Sequence, residues 1–176
     1  MRFAYADPPY LGRGSYYSKH HSEALSWNKI ETHEELIHEL VKFDGWAMSL
    51  SAPSLKQILP LCPEDVRIAA WVKPFAVFKK GINPVFAWEP VIFHGIRKRG
   101  LEEPHVKDWV SANITMKKGL PGAKPPAFCD WILDVLGYQE GDTLEDLFPG
   151  TGSMEEALRR RSNSGWKQAP LFESIQ

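Results

Sequence analysis

Asp7-Pro8-Pro9-Tyr10 follows the short apolar run Phe3-Ala4-Tyr5-Ala6, which reads as a buried strand cut off by proline. At average composition this tetrapeptide arises by chance in a chain of this length roughly once in a thousand. Two consecutive prolines fix φ and remove two N–H groups, so the turn is stiff and its carbonyls are left as acceptors. The Asp7 carboxylate, the Pro8 carbonyl and the Tyr10 ring together suit a planar amine attached to a heterocycle. Such an amine is a poor nucleophile, because its lone pair is conjugated into the ring. Hydrogen bonds from its two N–H groups to Asp7 and Pro8 would favour pyramidal geometry and aim the lone pair at an electrophile, with Tyr10 stacked on the base. The plainer reading is a rigid strand-to-loop turn in which Asp7 is a cap.

A second loop, Phe148-Pro149-Gly150-Thr151-Gly152-Ser153, lies between a strand expected over 143–148 and a helix expected from Ser153 to about Arg161. A strand, a two-glycine turn and a helix N-terminus form a cradle for a nucleotide-like cofactor, since glycine lets the backbone approach the ligand closely. No third glycine and no Walker lysine follow. Glu155 and Glu156 in the first helical turn disfavour a phosphate there, so a cofactor without one fits better. Asp146, near the strand end, is placed to accept from a cofactor ammonium, or is simply a satisfied strand residue.

Together these residues resemble the amino-methyltransferases of DNA, which methylate exocyclic amines of adenine or cytosine using S-adenosylmethionine. Their catalytic tetrapeptide is D/N/S-P-P-Y/F/W and their cofactor loop is commonly D-x-F-x-G-x-G, here Asp146-Leu147-Phe148-Pro149-Gly150-Thr151-Gly152. The Asp variant ending in Tyr looks like the adenine N6 subgroup. The catalytic motif precedes the cofactor motif, the circularly permuted order found in small phage and bacterial forms. The resemblance implies catalytic roles for Asp7, Pro8, Pro9 and Tyr10. It implies cofactor contacts for Asp146, Phe148, Pro149, Gly150, Thr151 and Gly152. Lys124-Pro125 resembles the family's Lys-Pro segment lining the cofactor pocket. Trp88-Glu89-Pro90 and Trp71-Val72-Lys73-Pro74 are similar to strands of its catalytic half.

To place both loops in one crevice, the chain must build a sheet. Trp46–Leu50, Val66–Val72 and Val85–Phe93 read as further strands, with Pro90 suggesting a bulge or an edge. Thr32 with Glu35 reads as a capping box opening a helix that carries Leu36, Ile37, Leu40 and Val41. Ser54–Leu61 reads as a short helix, and Phe128–Leu136 as another with Gly137 at its C-cap position. Residues 11–30 read as one long loop and 96–118 as aperiodic. Strands alternating with helices indicate an α/β fold: a Rossmann-like methyltransferase fold, mostly parallel, with helices on both faces, permuted and truncated in its cofactor half.

The chain has 176 residues, 43% hydrophobic and 24% charged, which suits one domain and excludes a disordered chain. We divide it into a catalytic half (1–95), a short basic insert (96–118), a cofactor half (119–162) and a tail (163–176). No signal-peptide core and no run of about 18 apolar residues occurs, so the expectation is a cytoplasmic protein with no membrane partner. Cys62 and Cys129 make no disulfide framework and read as buried small residues. His33 and His38, five apart, do not share a helical face, so no metal is expected.

The net charge of −1 argues against coating nucleic acid by bulk electrostatics, but residues 73–124 carry 10 basic and 4 acidic side chains. Arg97, Lys98, Arg99, Lys117 and Lys118 in that island are the candidate phosphate contacts to a DNA partner. The insert is too short for extensive base reading, so sequence specificity is expected to be low or borrowed. Only 163–176 follows the last helix, so a second copy or a partner is expected to help complete the cofactor pocket. A rival reading is a non-catalytic module that keeps the fold without efficient cofactor binding. RNA or a nucleotide as acceptor is left open by these motifs.

Overall fold

A computed structural model describes residues 1–17, 24–75, 80–115 and 123–163. β1 (Arg2–Ala6) has Phe3 and Tyr5 on one side and Ala4 and Ala6 on the other, all buried. Such a strand needs cover on both faces. α2 (Ile30–Leu40) and α3 (Leu55–Ile58) supply one cover, packing Leu36, Ile37, Leu40 and Ile58 against Ala4 and Ala6. α4 (Pro126–Leu136) and α5 (Ser153–Asn163) supply the other, packing Phe128, Leu133 and Met154 among others against Phe3 and Tyr5. Leu133 is fully buried. Leu133→Ala is therefore expected to cost about 2–5 kcal/mol of stability, read from a lowered denaturation midpoint at unchanged slope.

The remaining strands are β2 (Gly45–Ser49), β3 (Arg67–Val72), β4 (Trp88–His94), β5 (Trp109–Ser111) and β6 (Thr143–Asp146), and the sheet order is β5-β3-β4-β2-β1-β6. β1 runs parallel to β2 and β6, and β3 parallel to β5. β4 is antiparallel to both its neighbours. The sheet is therefore mixed: five strands share one direction and β4 opposes them.

Several expectations are corrected. Pro90 sits in an interior strand, not at an edge, and the register explains how. Its carbonyl accepts from Leu50 N at 3.2 Å, and the paired part of β2 stops at Ser49 opposite Val91. The missing N–H thus falls where the β2 ladder ends and breaks no interior bond. The capping box does not form. α2 begins at Ile30 with Lys29 as N-cap, and Thr32 Oγ1 instead donates to Ser26 O at 3.0 Å. Residues 11–30 hold the one-turn α1 (Gly14–Tyr17) and a 3-10 turn, Ser26–Asn28. Ser54–Leu61 is broken into a single α-turn flanked by 3-10 turns. The insert contains β5, and the last strand ends at Asp146 because Phe148 N turns back to Asp146 Oδ1 at 3.1 Å. α4 does end at Gly137, left-handed at φ 73°. No helix among the described residues is long and apolar enough to cross a membrane.

Candidate active site

The two loops singled out above leave neighbouring parallel strands at the same end. Tyr5 of β1 stands opposite Asp146 of β6, and Leu147 N donates to Tyr5 O at 3.0 Å. Asp7 and Asp146 therefore emerge near each other, close enough for the Asp7 charge to favour protonation of Asp146. Arg13 N closes the turn after the tetrapeptide by donating to Tyr10 O at 2.7 Å.

Lys124 stands at the centre of the site, just before the Pro125-Pro126 entry to α4, with Pro126 in the first turn of the helix. Its side chain is 7% exposed and its ammonium has three acceptors for three protons. Nζ lies 3.0 Å from Asp7 Oδ1, 2.9 Å from Tyr10 Oη and 3.3 Å from Glu89 Oε2. The rings of Tyr10, Trp71 and Phe128 surround it, with centroids at 5.5, 5.3 and 5.6 Å. Tyr10 in turn donates to Glu89 Oε2 at 2.8 Å, and Lys73 Nζ donates to Glu89 Oε1 at 2.6 Å. Three strand ends are thus tied together: β1 through Asp7 and Tyr10, β3 through Lys73, β4 through Glu89.

Burial sets the charges here, and the ion pairs oppose or reinforce it. Burial alone would lift the Glu89 carboxyl, but Lys124 and Lys73 bring it down to about 2, so Glu89 is ionised at all working pH. Burial pushes Asp7 above the usual carboxylate range although Lys124 pulls the other way. Burial would lower the Lys124 ammonium, and Asp7 and Glu89 outweigh it and hold it firmly protonated. Burial also pushes Asp146 up to about 6, against the Phe148 amide and with help from Asp7.

The Phe148–Ser153 loop is glycine-dependent for conformation. Gly150 and Gly152 have φ of 46° and 73°, and a Cβ at Gly152 would meet no atom within 4 Å. The backbone there faces open space, as a cradle requires. Gly152 N donates to Pro149 O at 2.7 Å, and Thr151 and Ser153 join hydroxyls at 2.7 Å. Phe148 packs edge-on against Trp27 at 5.1 Å. These features fit a phosphate-free nucleoside cofactor with an ammonium near Asp146.

The sheet does not bring Arg97, Lys98 or Arg99, three of the predicted phosphate contacts, to this site. Arg97, Lys98 and Arg99 follow β4, which runs backwards, so they lie at the opposite end of the sheet. Arg97 Nη2 lies 2.7 and 2.6 Å from the two Asp142 oxygens and its Nε donates to Gly137 O at 2.9 Å. Arg99 donates to the carbonyls of Pro104 and Asp134. Lys98 is exposed. Lys117, Lys118 and the tail after Asn163 lie outside the described residues. His33 is a core histidine, its Nε2 3.0 Å from Trp27 O. Burial lifts the thiols of Cys62 and Cys129, to about 11 and 12, which leaves both poor nucleophiles.

Sequence reasoning assigned no role to Glu89 or Lys73. The available signal was a lone carboxylate inside the apolar run 88–93, which a buried strand tolerates only when the charge is paired.

No protein-family model matches the chain, and no curated protein matches it. Solved structures do match. The crystal structure of the M1.HpyAVI-SAM complex superposes with a TM-score of 0.63 over 92% of this chain and 79% of that chain, at 16% sequence identity. The chain has a Rossmann-like methyltransferase fold. In open α/β sheets such as this, ligands collect beyond the carboxyl ends of the strands. In this Rossmann-like methyltransferase fold that end holds Asp7, Tyr10, Lys124, Asp146 and the glycine loop, and the opposite end holds Arg97–Arg99.

Proposed function

We propose that the protein is an enzyme transferring a methyl group from S-adenosylmethionine to the exocyclic N6 amine of adenine in DNA. The observation that carries this reading is the emergence of the Asp7–Tyr10 turn and the Asp146–Gly152 loop from adjacent parallel strands, so that acceptor and donor can meet in one crevice. The solved structure of similar fold is titled as a SAM complex, which agrees with the cofactor chosen here. Asp146, Phe148, Pro149, Gly150, Thr151 and Gly152 would hold the cofactor, and Lys124 lines its boundary with the acceptor. When bound, the cofactor supplies an electrophilic methyl carbon.

The chain's own residues do the rest. Asp7 and the Pro8 carbonyl accept the two N–H bonds of the amine and turn its lone pair toward the donor. Pro9 stiffens the turn. Tyr10, tied by its hydroxyl to Glu89 and Lys124, offers its ring to the base. Asp7 need not be a strong base, because the amine proton leaves readily once the nitrogen is quaternised. The base must leave its stack to reach this depth, or arrive on a single strand. Radiolabelled methyl transfer to duplex DNA, single-stranded DNA and RNA, followed by digestion to nucleosides, tests the proposal. Label in N6-methyladenine from DNA is expected, and no incorporation into any of the three overturns it.

The Asp146 carboxyl makes cofactor binding pH-dependent. Its folded-state value, about 6, lies above the ordinary aspartate value. Burial therefore favours the neutral acid in the free protein, and this contribution to stability is present below the ordinary value and lost as pH rises through about 6. A cofactor ammonium prefers the carboxylate. Affinity for S-adenosylmethionine is thus expected to rise by about three- to tenfold from pH 5 to 7 by calorimetry, and Asp146→Asn to flatten that rise. An equal rise in the variant removes Asp146 from the cofactor site.

A further inference from the structure

At the far end of the sheet, beside the carboxyl end of α4, a second cleft of about 320 Å³ opens between the start of β3, the segment after β4 and the segment before β5. Ile68, Ile96, Val106 and Val135 give it an apolar floor. Five Lys and Arg residues line it against one carboxylate, Asp108. The cations differ in availability. Arg97 and Arg99 are committed to Asp142, Gly137, Pro104 and Asp134. Arg67, Lys98 and Lys107 are exposed, and none of them is held in an ion pair with another described residue. Lys107 Nζ rests 5.0 Å from the ring centroid of Trp109, which is itself 45% exposed. The eleven-residue α4, about 16 Å long, separates this cleft from Lys124.

A bare anion would need only the cations. An apolar floor with a cationic rim and an exposed indole beside it suits a ligand that is flat and apolar on one side and anionic on the other. We propose that this cleft docks a single nucleic-acid strand, one base lying on the floor and its phosphates among Arg67, Lys98 and Lys107. The choice of nucleic acid rests on the methyltransferase reading above, and the docking is separate from the acceptor site at Asp7. Trp109 offers the next base a stacking platform. A duplex keeps its bases stacked inward and cannot use the floor. The cleft would therefore hold a strand whose adenine is being presented at the other end of α4, giving affinity without base reading.

The test is fluorescence anisotropy of a labelled twelve-nucleotide single-stranded DNA with the full chain, from 50 to 200 mM salt and without S-adenosylmethionine. In Arg67→Ala/Lys98→Ala/Lys107→Ala, affinity near 100 mM salt is expected to fall by about tenfold or more. The slope of log K against log salt should become shallower by about 2, from three contacts at about 0.7 each. Lys42→Ala/Arg159→Ala/Arg160→Ala removes the same formal charge elsewhere and should bind as wild type. The duplex of the same sequence should bind more weakly. Wild-type affinity and slope in the first variant, an equal loss in the second, or preference for the duplex would each overturn the proposal. Because no turnover is read, absent methyl transfer with intact cleft binding would sink only the catalytic reading. Methyl transfer with cleft-independent binding would sink only this one.

Discussion

Asp7→Ala should lower the initial rate of methyl transfer by about a hundred- to a thousandfold, the usual loss when one oriented group at a reacting centre is removed. The carboxylate is the only charged acceptor in the tetrapeptide, and Pro8 and Pro9 have no N–H with which to reshape the turn. Without it the amine keeps one partner, the Pro8 carbonyl, and its orientation is lost. The fold should survive with some loss of stability, because Asp7 takes no part in the ladders to β2 and β6 and Lys124 keeps Tyr10 and Glu89 as partners. S-adenosylmethionine binding by calorimetry should persist, since the glycine loop is untouched. Asp7→Asn keeps an acceptor oxygen and should retain more activity than Asp7→Ala. Equal label transfer by wild type and Asp7→Ala would remove Asp7 from the reaction.

Lys124→Met carries the second large effect, on stability as well as rate. Methionine fills the aromatic cage of Tyr10, Trp71 and Phe128 but leaves Asp7 and Glu89 facing each other without the shared ammonium. Breaking a buried ion pair from one side costs about 3–5 kcal/mol. Glu89 keeps Lys73 as a partner, but Asp7 keeps no cation, so the nearby Glu89 charge should drive Asp7 further above its ordinary value once Lys124 no longer pulls it down. Protonating Asp7 relieves the repulsion, so the stability gap between variant and wild type should narrow as pH falls from 7 toward 5. Urea unfolding at both pH values measures this. A gap that stays constant or widens would mean that Lys124 does not serve as the shared counter-ion.

Both loops of the candidate site stood out in the sequence through local features. Asp7–Tyr10 is a rare string, the Asp146–Gly152 loop has glycines at positive φ, and the unbroken apolar run 3–6 reads as a buried strand. What escaped were interactions between distant parts of the chain. Glu89 and Lys73 look like ordinary charges until β3 and β4 are paired and their side chains meet. The reversal of β4 also escaped, and with it the location of Arg97–Arg99. A basic cluster carries no mark of which end of a sheet it will occupy, and Asp142, which takes Arg97, is 45 residues away. Pro90 misled for a related reason: whether a missing N–H matters depends on where the neighbouring strand stops, which composition does not reveal.

β1 and β6 pair residues 2–5 with 143–146, nearly the whole length of the described chain. Closing so large a loop is entropically unfavourable and comes late in folding, after the local hairpin of β3 and β4 can assemble. A chain emerging from the ribosome therefore has its Asp7–Tyr10 turn long before its Asp146–Gly152 loop, and brings the two together only when β6 slots in beside β1. Synthesis interrupted before Thr143 should yield a fragment that carries the Asp7–Tyr10 turn without the Asp146–Gly152 loop that pairs beside it.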